Sequence, residues 1–258
     1  MALLGEVLLF VGKIVGVSKS SSYFRKSKKI IMKGQRVQNS GQARLFKNPF
    51  LEMLTKGHPA LSWGIHVPIL VYCFYYGYTH YDMSLKVMFG ISIFALLFWT
   101  FFEYIAHRYI FHLISEKESM QKFAYIMHGN HHHYPKDRTR LFMPPVPSLI
   151  IVAVIFAILY LVMREYAFAF YPGFILGWLL YASMHYLIHA IEPPFKFMQP
   201  LWRNHHLHHY RNEHMGFGVS NTLWDKVFGT TFDLKKERID RKKTQELMFD
   251  KKQKNEAV

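Results

Sequence analysis

Four apolar runs, near residues 60–79, 84–104, 146–163 and 167–187, limit what this chain can become. Each approaches the roughly 20 helical residues that cross the hydrocarbon core of a bilayer. The first pair is interrupted only by His80, Tyr81 and Asp82, and the second only by Arg164, Glu165 and Tyr166. Both pairs therefore read as tight helical hairpins. A hairpin of two spans returns the chain to the side it left, so the N-terminal region, residues 105–145 and the C-terminal region must share one face. The expected fold is an all-α integral membrane protein, with four transmembrane helices beneath a His-rich cap.

The charge pattern identifies that face. Of the formal net charge of +15, eleven basic residues fall between Lys13 and Lys56 against the single acid Glu52, and the tail after Thr231 is again rich in lysine. The two turns on the other side carry one basic residue, Arg164. Basic flanks around apolar spans follow the positive-inside bias, which puts the shared face in the cytoplasm, at a bacterial inner membrane or the endoplasmic reticulum. A nucleic-acid partner, the other common reading of such a charge, is not expected. The opening MALLGEVLLFVGKIVGV has Glu6 in place of a basic n-region and no A-x-A site, so it reads as an interfacial helix rather than a signal peptide. Residues 18–40 read as a basic linker along anionic headgroups. The expected organisation is an interfacial helix and linker over 1–58, a four-span membrane domain over 59–232 and a basic tail over 233–258.

One cysteine, Cys73, stands against sixteen histidines, so any metal chemistry must rest on imidazole. Three histidines, His58, His66 and His80, are isolated and read as interfacial or hydrogen-bonded side chains. The rest form four groups on the cytoplasmic side: HRYIFH at 107–112, HGNHHH at 128–133, HYLIH at 185–189, and HHLHH at 205–209 with His214 beyond. Residues four apart on a helix differ by about 40° and residues three apart by about 60° in the opposite sense. His185 and His189 thus share a face, as do the two H-x-x-H-H sets His128, His131, His132 and His205, His208, His209. His107 and His112, five apart, diverge by roughly 140° on an ideal helix. They point together only if the helix is distorted; otherwise they serve different metals. Glu103, four residues before His107, and Asp137 and Asp225 are candidate acceptors for the outer N–H of a ligating imidazole. Ten imidazoles, His107, His112, His128, His131, His132, His185, His189, His205, His208 and His209, give five nitrogens to each of two ions. That count favours six-coordinate iron with one open position over four-coordinate structural zinc, although such nitrogen sites bind zinc more tightly than ferrous iron.

The order HRYIFH, HGNHHHYPKD, HYLIH, NHHLHHY and NTLWDKVFGT, with NSGQARLFKNPFLE upstream, resembles the membrane fatty acid hydroxylase superfamily, and most closely its fatty acid 2-hydroxylases. The resemblance runs from about residue 39 to 232. It implies a four-span protein whose cytosolic cap holds a di-metal centre, and insertion of one oxygen atom from O2 at carbon 2 of a long acyl chain, free or within a lipid such as a sphingolipid. The ten histidines match the family's ligand motif one by one; His133 and His206 are extra, and His214 is left with a possible role at the substrate. Members with a fused cytochrome b5 domain carry an HPGG signature, whereas here the nearest string is GHPA at 57–60. Electrons are therefore expected from a separate redox partner such as a cytochrome b5 or a ferredoxin with its reductase. Tyr125, Tyr134, Phe142, Trp202 and Phe217 are candidates to line an acyl slot, though at helical spacing aromatics more often serve packing.

Two alternatives stand beside this reading. A sterol or sphingoid-base hydroxylase or desaturase of the same superfamily would share the histidines and differ in its substrate slot. A non-catalytic metal-binding or metal-transport protein is disfavoured because transporters place ligands at mid-membrane, whereas these imidazoles lie beyond the span ends.

Overall fold

A computed structural model describes residues 37–233, and every regular element among them is helical. The expected interfacial helix and most of the basic tail fall outside the described residues. Four long helices form a bundle: α1 (Pro59–His80), α2 (Leu85–Ile105), α3 (Pro145–Met163) and α4 (Ala167–Ala190). Their boundaries lie within three residues of the expected runs. Pro59 opens α1 at a position where its missing N–H is not needed, and His58 caps it, Nδ1 accepting from the Ala60 N–H at 3.2 Å. Ser84 caps α2 through the Val87 N–H. Both hairpin turns reverse through a residue with positive φ, Asp82 at 49° and Arg164 at 54°.

Helix α4 is the centre of the bundle. It buries fifteen residues, whereas α3 buries only Ser148 and Val152. Small residues let α2 approach α4 closely: a Cβ placed on Gly173 would fall 1.9 Å from the Ser92 carbonyl oxygen, and one on Gly177 would fall 2.5 Å from the Trp99 Cβ. This G-x-x-x-G spacing on α4 is the pattern that lets helix backbones touch inside membranes. The Ser92 hydroxyl reinforces the contact by donating to the Ala169 carbonyl at 2.6 Å. On the other flank, Trp63 of α1 donates to Ser183 Oγ at 3.0 Å, and His66 sets its ring edge-on to Trp178.

Away from these contacts the bundle presents large apolar side chains outward, among them Val71, Leu97, Leu161 and Val162. Two helical stretches, Leu85–Phe111 and Arg138–Ala190, are long and apolar enough to cross a membrane, and the second contains both α3 and α4. Helix α1 has the length, but its tyrosines, His66 and Pro68 dilute its apolar character.

At one end of the bundle a cap is built from a π-turn over Ala106–Phe111, a second over Tyr125–Gly129, several short helices and α5 (Gln199–Tyr210). Trp202 of α5 is fully buried, its indole N–H donating to the Ile191 carbonyl at 2.9 Å. A strap over residues 37–58 crosses the cap. The Gln38 N–H donates to the His133 carbonyl and the Gly57 N–H to the Thr139 carbonyl, both at 2.8 Å. Between these anchors the Arg140 guanidinium donates to the Ala43 carbonyl, Thr55 Oγ1 and the Glu52 carboxylate.

Gly173→Ala is expected to lower stability by about 1–3 kcal/mol, because the added methyl meets backbone that cannot yield. Gly64→Ala, which meets nothing within 4 Å, should leave the melting temperature unchanged or raise it. Thermal unfolding of both variants in detergent checks the pair.

Candidate metal centre

The five-residue spacing of His107 and His112 is resolved by the backbone itself. Helix α2 does not stop at Ile105 but passes into the π-turn, in which the His112 N–H donates to the His107 carbonyl at 3.2 Å. In such an i→i+5 turn, residues five apart stand one above the other, so both rings face the same way; π-turns of this kind recur at functional sites. The 140° divergence expected on an ideal helix is thereby corrected.

All ten candidate imidazoles come together, in two groups of five. His107, His112, His128, His132 and His208 form the first, and His131, His185, His189, His205 and His209 the second; within each, the candidate ligand atoms lie within 4.8 Å of one another. The H-x-x-H-H sets do not act as single faces. His128 and His132, four apart, join the first group while His131 joins the second; His205 and His209 join the second while His208 joins the first. Adjacent helical residues differ by about 100°, so one set addresses two points. Each group thus takes two imidazoles from the end of α2 or α4, two from one H-x-x-H-H set and one from the other.

All ten rings present Nε2 to their group. The nearest Nε2 pairs are 2.9–3.1 Å apart: His107 to His128, His128 to His132, and His112 to His208 in the first group; His131 to His185 and to His209, and His205 to His189 and to His209, in the second. Two nitrogens at about 2.1 Å from one ion stand about 3.0 Å apart at a right angle and about 3.4 Å apart at a tetrahedral angle. The spacing fits a crowded site with right-angled edges. Burial first, and neighbouring imidazoles after it, hold His112, His128, His131, His132, His205, His208 and His209 well below the usual histidine range. They are neutral at physiological pH, which is the form that binds metal. The donor set therefore fits two divalent ions.

The outer faces of the rings depart from expectation. His107 Nδ1 donates to the Phe217 carbonyl at 2.5 Å and His208 Nδ1 to the Met215 carbonyl at 2.7 Å. Glu103 does not reach His107, because the π-turn carries the ring away from it; its carboxylate accepts from the Val219 and Ser220 N–H groups and the Ser220 hydroxyl. Asp225 touches no imidazole either, accepting from the Phe217 and Gly218 N–H groups, Asn204 and Thr230. Asp137 caps the turn at Arg138–Arg140 through Thr139 and lies 3.4 Å from the Arg140 Nε. His133 and His206 lie outside both groups, bonded to the Tyr125 hydroxyl and the Trp202 carbonyl.

Two cavities reach the imidazoles. An apolar one of 390 Å³ is walled by Leu45, Phe46, Leu51 and Leu54 of the strap, by Phe142 and the start of α3, and by Trp178 and Ala182 of α4; it ends at His128, His131 and His185. A more polar one of 660 Å³, bordered by Arg44, Gln121, Lys122, Tyr125, Glu213 and His214, ends at His112, His128 and His132. Leu45, Phe111, Ile126 and His128 border both. Of the aromatic candidates, only Phe142 lines the apolar cavity. Phe217 packs on His107, His112 and His208, and Tyr134 lies against Gly41. The apolar wall of the strap carried no periodic signal in the sequence.

Known proteins are similar to this chain in sequence and fold. A family model for fatty acid hydroxylases matches residues 92–230, a stretch that contains all ten imidazoles. The dihydroceramide fatty acyl 2-hydroxylase FAH1 of Arabidopsis thaliana is 32% identical over 191 residues, covering 72% of this chain and 79% of that protein. The ceramide very long chain fatty acid hydroxylase SCS7 of Saccharomyces cerevisiae is 37% identical over 202 residues, covering 74% of this chain and 50% of that protein. A solved structure of full-length scs7p, in which only the hydroxylase domain is visible, superposes with a TM-score of 0.70 at 28% identity, covering 83% of this chain and 90% of that one. By the extent of these matches the chain belongs to the fatty acid hydroxylase family.

Proposed function

We propose that the chain is a multi-pass membrane monooxygenase that inserts one oxygen atom from O2 at carbon 2 of a long acyl chain carried by a lipid. The observation that carries this reading is the meeting of an apolar and a polar cavity at His128. Carbon 2 adjoins the acyl carbonyl, so headgroup and tail diverge at the reacting carbon. A lipid with its tail in the apolar cavity and its headgroup in the polar one presents that carbon, and few others, to the imidazole groups. In the polar cavity Lys122 is paired with Glu118 at 2.8 Å, and the Arg44 guanidinium is bonded to the Phe46 and Lys47 carbonyls. With Glu118 and Glu213 set against Arg44 and Lys122 in the lining, the cavity carries both signs and suits a neutral, hydrogen-bonding headgroup rather than a free carboxylate. The names of the relatives, ceramide and dihydroceramide acyl hydroxylases, point the same way.

The ten imidazoles would hold two metal ions, iron in the active enzyme, and iron so held supplies the reduction of O2. The overall balance is one C–H bond, O2, two electrons and two protons giving one C–OH and one water, with the electrons from a separate donor protein such as a cytochrome b5 or a ferredoxin. The chain's own part is positional. Its neutral nitrogens leave the ions their full charge, the Phe217 and Met215 carbonyls fix two ring orientations, and the apolar walls keep water from the reacting carbon. All four helices α1–α4 span the membrane in this reading, with the cap on the cytoplasmic side, the imidazoles at its boundary and the domain running from residue 59 to 232.

Stripping the metal and reloading with ferrous iron under a chemical reductant should restore 2-hydroxylation of a long-chain lipid, measured by mass spectrometry. Zinc should restore none, since it has no redox chemistry, and equal turnover with zinc would remove oxygen activation. Val146→Trp, at the border of the apolar cavity, should lower kcat/KM for a long-chain substrate by about tenfold or more through lost positioning, with metal content unchanged. A reporter fused after Val258 should read out in the cytoplasm, and readout on the far side would reject four spans.

A further inference from the structure

Asp225 and Glu103 are buried, and no described Lys or Arg is ion-paired with either. Together they receive four consecutive backbone N–H groups: Phe217 and Gly218 donate to Asp225, Val219 and Ser220 to Glu103, all at 2.8–2.9 Å. One peptide unit in this run is special. The bond between Phe217 and Gly218 gives its N–H to Asp225 Oδ2 at 2.9 Å, and its carbonyl oxygen accepts from His107 Nδ1 at 2.5 Å. Carboxylate, amide and imidazole therefore form one line of hydrogen bonds in which every donor points toward Asp225. Such a chain polarises each member along it, so negative charge at Asp225 increases the electron density on His107.

The far side of Asp225 extends the line. Thr230 donates to Oδ1 at 2.8 Å, the Tyr104 hydroxyl lies 3.0 Å from Thr230 Oγ1, and Arg108 donates to the Tyr104 oxygen at 2.7 Å. In the second histidine group Nδ1 of His131, His205 and His209 are buried without a hydrogen-bond partner among the described residues, and His185 bonds to the Leu141 backbone.

We propose that Asp225 is a positioning residue acting on His107 through the Phe217–Gly218 peptide, and that it makes the first imidazole group the stronger metal site of the two. The proposal rests on the reading that both groups hold metal. A metal-bound imidazole backed by an anionic acceptor is the better ligand, and loss of such support costs about 10–100-fold in affinity. Here the support reaches the ring across one amide.

The test uses zinc-loaded full-length protein, challenged with a graded series of chelator and assayed for metal per chain. It is run in a His189→Ala background, where the retained ion reports on the first group, and in a His112→Ala background, where it reports on the second. Asp225→Asn should weaken the first-group ion by about 10–100-fold and leave the second-group ion unmoved. Glu103→Gln, which loosens the same run of amides without touching the relaying peptide, should cost less. Thr230→Val keeps the carboxylate but removes a donor that competes for its charge, so first-group affinity should hold or rise. A clamp that merely supports the loop predicts a fall in Thr230→Val and equal falls in Asp225→Asn and Glu103→Gln, and either result overturns the relay. Unchanged first-group affinity in Asp225→Asn overturns it as well. Failure of the unsubstituted chain to retain any ion would instead overturn the metal reading on which the proposal rests.

Discussion

Helices α2 and α4 meet backbone to backbone, and the cap inherits its geometry from that contact. The end of α2 leads directly into His107 and His112, and the end of α4 carries His185 and His189. Ten nitrogens converging on two points tolerate errors of about 0.5 Å. A bulky side chain at Gly173 or Gly177 would wedge the axes apart and spread those errors over both groups. The hydroxyl of Ser92, donating across the same seam, adds a fixed register to the close approach. Membrane helices have little hydrophobic drive to associate with one another, so packing of this kind must supply the order.

The sequence disclosed the four long helices, the hairpins and the ten histidines because each follows from a short-range rule: run length, separator length or residue type. It disclosed less where a rule applied to the wrong backbone. The spacing of His107 and His112 looked like a conflict under 3.6 residues per turn, and that conflict was itself the trace of the π-turn. The i,i+4 rule suggested that Glu103 meets His107, but the helix changes its winding at Ala106, between the two. Periodicity also states which residues share a face and not how many points the face addresses; hence the division of each H-x-x-H-H set came only with the fold. His66, read as an interfacial or hydrogen-bonded side chain, is hydrogen-bonded through Nδ1 to the Ser62 carbonyl, and its full burial against Trp178 came only with the fold.

Charge in the cap is arranged at a remove. Both groups consist of neutral imidazoles without a carboxylate, so two divalent ions would bring four positive charges into a buried site. The buried carboxylates Asp225 and Glu103 stand behind backbone amides rather than against the rings. A carboxylate in the ligand shell would cancel charge on the ion, whereas one behind a peptide lowers the cost of burying that charge and leaves the ion a strong electrophile. The same amides satisfy the carboxylates, which would otherwise be costly to bury.

The strap gives the chain two different minimal lengths. A fragment beginning at Pro59 would retain all ten imidazoles, both hairpins and the carboxylate-bound loop. It would also lack Leu45, Phe46, Leu51 and Leu54, and with them one wall of the apolar cavity. The imidazole groups and the apolar cavity are thus separable in the order of the sequence, the first encoded from α1 onward and the second beginning in the segment before it. A recombinant fragment trimmed to the obvious helical boundary would keep both imidazole groups and leave the apolar cavity open to solvent on the side that the strap covers.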